Sequence, residues 1–297
     1  MENELSIRTL SDCTFEQTLE LWNVCFSEYY SDMTKTLDQL IAYFGELGIR
    51  PDLSLAAYLE QQPAGFVMIA AKKVNGQIWA WNGGTAVNPR LRGRGIAKTM
   101  MKEAVHRMRE YGVDTALLEV VAHNARAIAA YESVDFRTVD RLVGLKHAGT
   151  SGNAPFGRAS VTGYSARVGH AAEVAKLPYY RSMSGWTGQW FNLSEGNSLL
   201  VCGTEGRIVG YALFKRKYDD AGNLSSVVLY QCEADPDRRD ADDIVRFALT
   251  KVYEPFESRF ERFAENLRAT NVYAVAALKE AGFETLYEQK LMVLEPK

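Results

Sequence analysis

The chain has 297 residues, 47% of them hydrophobic and 24% charged, with a formal net charge of -3. At roughly 150 residues per domain this is about two domains, each long enough to bury a core, and the hydrophobic content excludes a disordered chain. The near-neutral balance argues against nucleic acid or an anionic membrane as the main partner, because a phosphate surface rewards concentrated Lys and Arg; the longest apolar run, Ala64 to Ala71, is strand length, and the acidic start Met1-Glu2-Asn3-Glu4 reads as no signal peptide.

Ser6 to Thr9 reads as a short strand. Phe15, Leu19, Trp22 and Phe26 recur at helical spacing, and Leu37, Leu40, Ile41 and Phe44 mark a second helix ended by Gly45 and Gly48. Leu53 to Glu60 reads as a strand, followed by a turn around Gln62-Pro63. Gly65 to Lys73 is the next strand. Asn75-Gly76 is the strongest hairpin signal and leads into Gln77 to Val87. Ala97, Met100, Met101, Ala104, Val105 and Met108 form one apolar helical stripe that stops at Gly112. Thr115 to Val121 is β-rich, Asn124 caps a short helix through Ser133, and Phe136 to Lys146 is a strand.

His147 to Gly157 is small, polar and Gly-rich, the best linker in the chain. Beyond it the order restarts. Val161 to Arg167 reads as a strand with a helical region after it. Leu199 to Gly203, Arg207 to Lys217 and Leu224 to Glu233 read as strands, Asp240 to Tyr253 and Asn271 to Glu280 as helices, and Phe283 to Leu294 as a last strand. The segment Tyr179 to Phe191, with Trp186 and Trp190, reads as pocket lining or as core. Overlaying the chain on itself at a shift of 147 residues pairs Pro89 with Pro236, Arg92 with Arg239, Asn124 with Asn271 and Phe136 with Phe283, ten identities in 48 positions. The matches fall at strand exits and helix caps, as two copies of one α/β unit would place them. The expected domains are 1–148 and 158–297.

Cys13, Cys25, Cys202 and Cys232 make no C-x-x-C pair and read as free thiols of a reducing, cytoplasmic compartment. The four histidines stand at no metal-ligand spacing, so no metal is expected.

The chemistry concentrates in Val87 to Ala97, a strand end, a Gly-rich loop and a helix start. Such a loop aims several unpaired N–H groups at one point with the positive helix end behind them, an anion site suited to a pyrophosphate. A Walker loop is absent. A dinucleotide fingerprint fails because Lys98 stands where the third small residue should be, and an antiparallel meander upstream does not suit a Rossmann unit, so a nucleotide-dependent oxidoreductase is excluded.

The stretch resembles the acetyl-CoA motif of the GNAT acetyltransferases, R/Q-x-x-G-x-G/A after a strand ending V-x-P, through Arg92, Gly95 and Ala97 with Val87 and Pro89 ahead. A second family motif follows in Leu118-Glu119-Val120, Asn124, Ala127, Tyr131 and Phe136; Asp135 departs from the usual glycine, at a turn. The resemblance covers residues 1–148. It implies an α/β (α+β) fold of two tandem GNAT-type domains, each a mixed, mostly antiparallel twisted sheet flanked by helices.

It also implies acetyl-CoA as cosubstrate and residue roles. Ala86 and Val87 would bind the pantetheine and polarise the thioester. Arg92, Gly93, Arg94, Gly95, Ile96 and Ala97 would hold the pyrophosphate, and Asn124 would contact the cofactor arm. Tyr131 would protonate the departing thiolate, since a phenol stays protonated at neutral pH. Glu119, alone among apolar neighbours in its strand, would be the base, directly or through water, with burial raising its pKa. Glu28, Tyr29 and Asp32, between the first two helices, would face the acceptor.

In the second copy Gly93, Gly95 and Ile96 are met by Asp240, Asp242 and Asp243, and Tyr131 by Leu278. Carboxylates there would satisfy the helix amides and repel a pyrophosphate, so that domain is expected to be degenerate. The expected function is N-acetylation of a primary amine on a small molecule, peptide or protein N-terminus by direct attack. The alternative is a non-catalytic acyl-CoA-binding or sensor protein, against which the intact Tyr131 and Glu119 speak. The chain is a monomer whose repeat supplies a partner surface, or a homodimer.

Overall fold

The computed structural model describes residues 5–147, 155–157, 163–193 and 196–296. It divides into two compact units. One runs up to Val139 and takes in the end of the chain from Met292; the other runs from Asp140 to Leu291. They part ahead of the linker expected at 147–157, of which residues 148–154 lie outside the described ones. Among the described residues no helix is long and apolar enough to cross a membrane.

The first unit contains β1 (Leu5–Thr9), α1 (Phe15–Cys25), α2 (Leu37–Leu47), β2 (Leu55–Leu59), β3 (Gln62–Val74), β4 (Gln77–Val87), α3 (Ile96–Tyr111), β5 (Thr115–Val121) and α4 (Ala125–Glu132). Both early helices start at T-x-x-Q. Thr14 and Thr36 accept from the N–H groups of Gln17 and Gln39, and each glutamine side chain accepts the threonine N–H in return at 3.0 and 2.9 Å. The strands run in the order β1-β2-β3-β4-β5, antiparallel except for β4 and β5, which are parallel and joined through α3.

Alternation along β3 builds two layers. Phe66 stacks on Trp22 of α1, while Val67 and Ile69 face the buried stripe Met100, Met101, Ala104, Val105 and Met108 of α3. Met292 and Leu294 join that same core. Residues Asn75 and Gly76 both have positive φ, as the hairpin signal requires. The preceding hairpin corrects the sequence reading. Its turn is Glu60-Gln61, with φ of 48° and 68°, and Pro63 lies inside β3 opposite Tyr58.

The second unit contains β6 (Arg137–His147) from Asp140 onward, β7 (Ser165–His170), β8 (Asn197–Cys202), β9 (Ile208–Tyr218), β10 (Leu224–Ala234), α5 (Ala241–Tyr253), β11 (Glu261–Arg268), α6 (Val272–Glu280) and β12 (Glu284–Leu294) as far as Leu291. The order is β12-β6-β11-β10-β9-β8-β7, with β10 and β11 parallel. The helical region expected after β7 is three short 3-10 turns instead. Trp186 and Tyr179 are buried, Tyr179 in a core cluster with Tyr211 and Tyr230, which decides that aromatic segment for core.

The 147-residue shift carries β4 onto β10 and β6 onto β12 at both ends. It also superposes two helix caps. Asn124 accepts from Ala127 N–H at 3.2 Å, and Asn271 accepts from Ala274 N–H at 3.0 Å. The halves are therefore two copies of one fold.

Candidate active site

β4 and β5 pair only over Trp79–Trp81 and Thr115–Leu117. Beyond that point β4 carries a bulge at Gly83 and stays bonded to β3 alone. Side chains hold the bulge. Asn82 Oδ1 accepts the Gly84 N–H at 3.1 Å, and the Tyr43 hydroxyl donates to the Gly83 carbonyl at 2.6 Å. A Cβ on Gly83 would lie 2.5 Å from the Trp81 ring, so any other residue would force that ring to shift. The strands thus part and leave the Thr85–Val87 edge of β4 facing open space rather than β5.

After Val87 the chain makes a tight turn that Asn88 stabilises, accepting from Arg90 N–H and donating to the Pro63 carbonyl. Gly93 and Gly95 have φ of 83° and 77°, which side chains rarely adopt, and a Cβ on either would meet nothing within 4 Å. Gly95 is the N-cap of α3, no side chain caps it, and the Thr99 N–H is the first to bond back, to the Gly95 carbonyl at 3.0 Å. The amides of Ile96, Ala97 and Lys98 therefore point outward at the positive end of a 16-residue helix.

These parts open into one cleft of about 660 Å³ in the first unit. Of the residues expected at the site, Ala86, Val87, Arg92, Gly93, Gly95, Ile96, Ala97, Asn124, Tyr131, Glu28 and Tyr29 line it. Three others do not. Arg94 is exposed outside it. Asp32 is exposed, its carboxylate accepting the Thr34 N–H at 2.9 Å, and Thr34 holds its carboxyl below the usual range. Glu119 is half-buried on β5 and accepts from Trp81 Nε1 at 2.5 Å.

Burial pushes the Tyr131 hydroxyl up to about 12; a hydrogen bond with Thr85 opposes the shift and Tyr29 adds to it. Tyr29 is raised by burial and by Tyr30, with the Asn124 side chain opposing. Arg92 Nη1 lies 3.3 Å from Glu28 Oε2 at the mouth. Sequence reading missed Thr85, Lys98, Arg126 and Cys25 among the lining residues. Lys98 directly follows the loop and was legible as a charge; Thr85 sat unmarked in an apolar strand. Burial raises the Cys25 thiol to about 12, so it stays a thiol.

In the corresponding loop of the second unit the carboxylates do not satisfy the helix amides as expected. Asp240 makes no cap bond to α5. It takes Arg238 and the Tyr164 hydroxyl, and Asp242 takes Arg246 at 2.9 Å. Arg238 grips Asp240 through two donors, while Arg246 shares its donors between Asp242 and Glu280.

Residues 15–136 match the model of the Acetyltransferase (GNAT) family. A search of the curated proteins gives no match. Among solved structures the chain is similar to a GCN5-related N-acetyltransferase from Sphaerobacter thermophilus, at 13% identity and TM-score 0.68 over 99% of this chain and 96% of that one. It is similar to a tandem GNAT protein from the clavulanic acid biosynthesis pathway, at 16% identity and TM-score 0.60 over 99% of both. A putative acetyltransferase from Pyrococcus horikoshii follows at 17% identity and TM-score 0.59 over 100% of this chain and 91% of that one. At such identities these structures share the fold. Residues 15–136 thus form a domain of the Acetyltransferase (GNAT) family, an acyltransferase domain, and the chain as a whole shares the fold of a tandem GNAT protein.

Proposed function

We propose that the first unit transfers an acetyl group from acetyl-CoA to a primary amine by direct attack, and that the second unit binds no acetyl-CoA. One observation carries the reading: the uncapped start of α3, the free edge of β4 and Tyr131 line the same cleft. The glycines leave room where a pyrophosphate would approach the amides, with Arg92, Lys98 and Arg126 supplying charge. The Ala86–Val87 edge of β4 would hold the pantetheine amides and the thioester oxygen.

The amine nitrogen attacks the acetyl carbonyl, the C–S bond breaks, and Tyr131 gives its proton to the departing sulfur. Glu119 is proposed to take the amine proton, directly or through water, from its place beside the parted strands. Asn124 orients the cofactor arm and Tyr29, which lines the same cleft. The acceptor is a small-molecule amine, a peptide or a protein N-terminus.

The test is release of CoA thiol from acetyl-CoA with an alanyl peptide, a lysyl peptide, spermidine and glucosamine as acceptors. Turnover with one of them supports the reading. Tight acetyl-CoA binding with no turnover on any would favour a non-catalytic binder and refute it.

A further inference from the structure

A thioester carbonyl carbon is flat, and its oxygen, its sulfur and its acyl chain leave it in three directions. Holding two of them fixes the third. In the proposed pose the Ala86–Val87 edge of β4 holds the oxygen, and the sulfur lies toward Tyr131. Tyr131 belongs to the core on the α3 face of the sheet, with Val67, Ile69 and Met100. The acyl chain is left to point to the opposite face, the one that α1 covers. Phe26 stands there. It directly follows α1 and lines the cleft. Phe66 of β3 is the register partner of Ala86, so the two side chains share the α1 face. The Phe26 ring meets the Phe66 ring edge-on at 5.4 Å, and meets Trp22 at 4.8 Å and Tyr29 at 5.0 Å in the same way. With 7% exposure and three rings against it, Phe26 is held in one place. Farther along β4 the same face is filled: a Cβ on Gly84 would lie 3.4 Å from the Phe66 ring and 3.5 Å from Trp22.

We infer that Phe26 is the stop that sets acyl-chain length: it admits an acetyl group and turns a butyryl chain away. The inference takes the pose of the thioester from the reading of the cleft proposed above and rests on it. Each added methylene is pressed against a packed aromatic ring, and a filled apolar site yields poorly to added volume. Truncating the ring to alanine opens a dry apolar space that a longer chain can fill.

The experiment uses the full chain with acetyl-, propionyl- and butyryl-CoA and the amine from the panel above that turns over. Wild type, Phe26→Leu and Phe26→Ala are compared by the ratio of butyryl to acetyl kcat/KM, which cancels any loss of folded enzyme. Kd for the same thioesters is read beside it by calorimetry. In wild type butyryl-CoA is expected to be used roughly ten- to a hundredfold less well than acetyl-CoA, the scale on which an apolar pocket selects methylenes. Phe26→Ala is expected to raise the butyryl ratio at least about tenfold, and Phe26→Leu to raise the propionyl ratio by a smaller factor. Where alanine leaves too little folded protein, leucine keeps an apolar side chain in the α1 layer and carries the test. Equal use of acetyl- and butyryl-CoA by wild type would overturn the inference, and so would ratios that neither variant moves. No turnover with any thioester would refute acetyl transfer by itself. The Kd ratios would then still decide on Phe26: a butyryl ratio improved by truncation upholds the stop, and an unmoved one overturns it.

Discussion

The Arg92 guanidinium lies 3.3 Å from the Glu28 carboxylate, so an arginine of the loop between β4 and α3 is tied to the segment after α1. Glu28 is the one carboxylate among the described residues lining the cleft. A pyrophosphate must compete with it for Arg92. Glu28→Gln is expected to tighten acetyl-CoA binding roughly two- to fivefold at low ionic strength, with the gain fading in high salt, since both groups are exposed and screened. Kd measured across a salt series checks this; a gain that persists in high salt would place the effect elsewhere.

Asp135 stands where the family pattern has glycine, and its φ is 71°; the matching Gly282 of the second copy has φ of 87°. Both close the loop between a short helix and the next strand. An aspartate tolerates the left-handed region at a cost of about 1 kcal/mol, which glycine avoids. Asp135→Gly should raise stability by about that amount in chemical denaturation, and Gly282→Ala should lower it similarly. A loss in Asp135→Gly would mean that the carboxylate has a role beyond the turn.

The high pKa of Tyr131 has a sign that can be followed. Burial raises it to about 12 in the folded protein, against about 10 in an unfolded chain. The neutral phenol is thus favoured by folding. Its contribution is fully present below pH ~10 and is lost as pH rises toward the folded value. Tyr131→Phe should therefore lose stability less steeply than wild type above pH ~10, read as Tm against pH. In the assay, Tyr131 should impose no alkaline decline below pH ~10, so kcat/KM should rise with pH as the acceptor amine loses its proton.

In the second unit Arg262 is fully buried and donates to the carbonyls of Tyr253, Pro255, Ser258 and Phe260, with its guanidinium 3.8 Å from the Phe260 ring centre. A lysine has no planar fork to reach them all. Arg262→Lys should destabilise the chain by about 2–4 kcal/mol through unsatisfied buried carbonyls. Unchanged denaturation would show that water replaces the fork.

Much of this was legible in residue order. Asn124 and Asn271 announce the same helix cap twice because a capping side chain must sit at one position, and Arg92, Gly95 and Tyr131, picked out by their spacing, line one cleft. β11 was invisible. Its Glu-Arg-Phe-Ala-Glu-Asn run carries charges that read as solvent-facing, yet Arg262 turns back onto carbonyls of the turn just before the strand, and Glu265 accepts from Thr187 of a distant segment. The Glu60-Gln61 turn was missed because it takes positive φ without the glycine or asparagine that signals one. Thr85 was missed because a hydroxyl in a strand gains its meaning only from the bulge that sets Asn82 beside it.

The most direct test of the central claim, that one of two like units carries the cofactor site, is a calorimetric titration with acetyl-CoA. It is made on wild type and on Gly93→Asp/Gly95→Asp, which copies Asp240 and Asp242 of the second unit into the first. The account predicts one molecule bound per chain in wild type and none in the variant. Two bound per chain, or binding that survives in the variant, would contradict it.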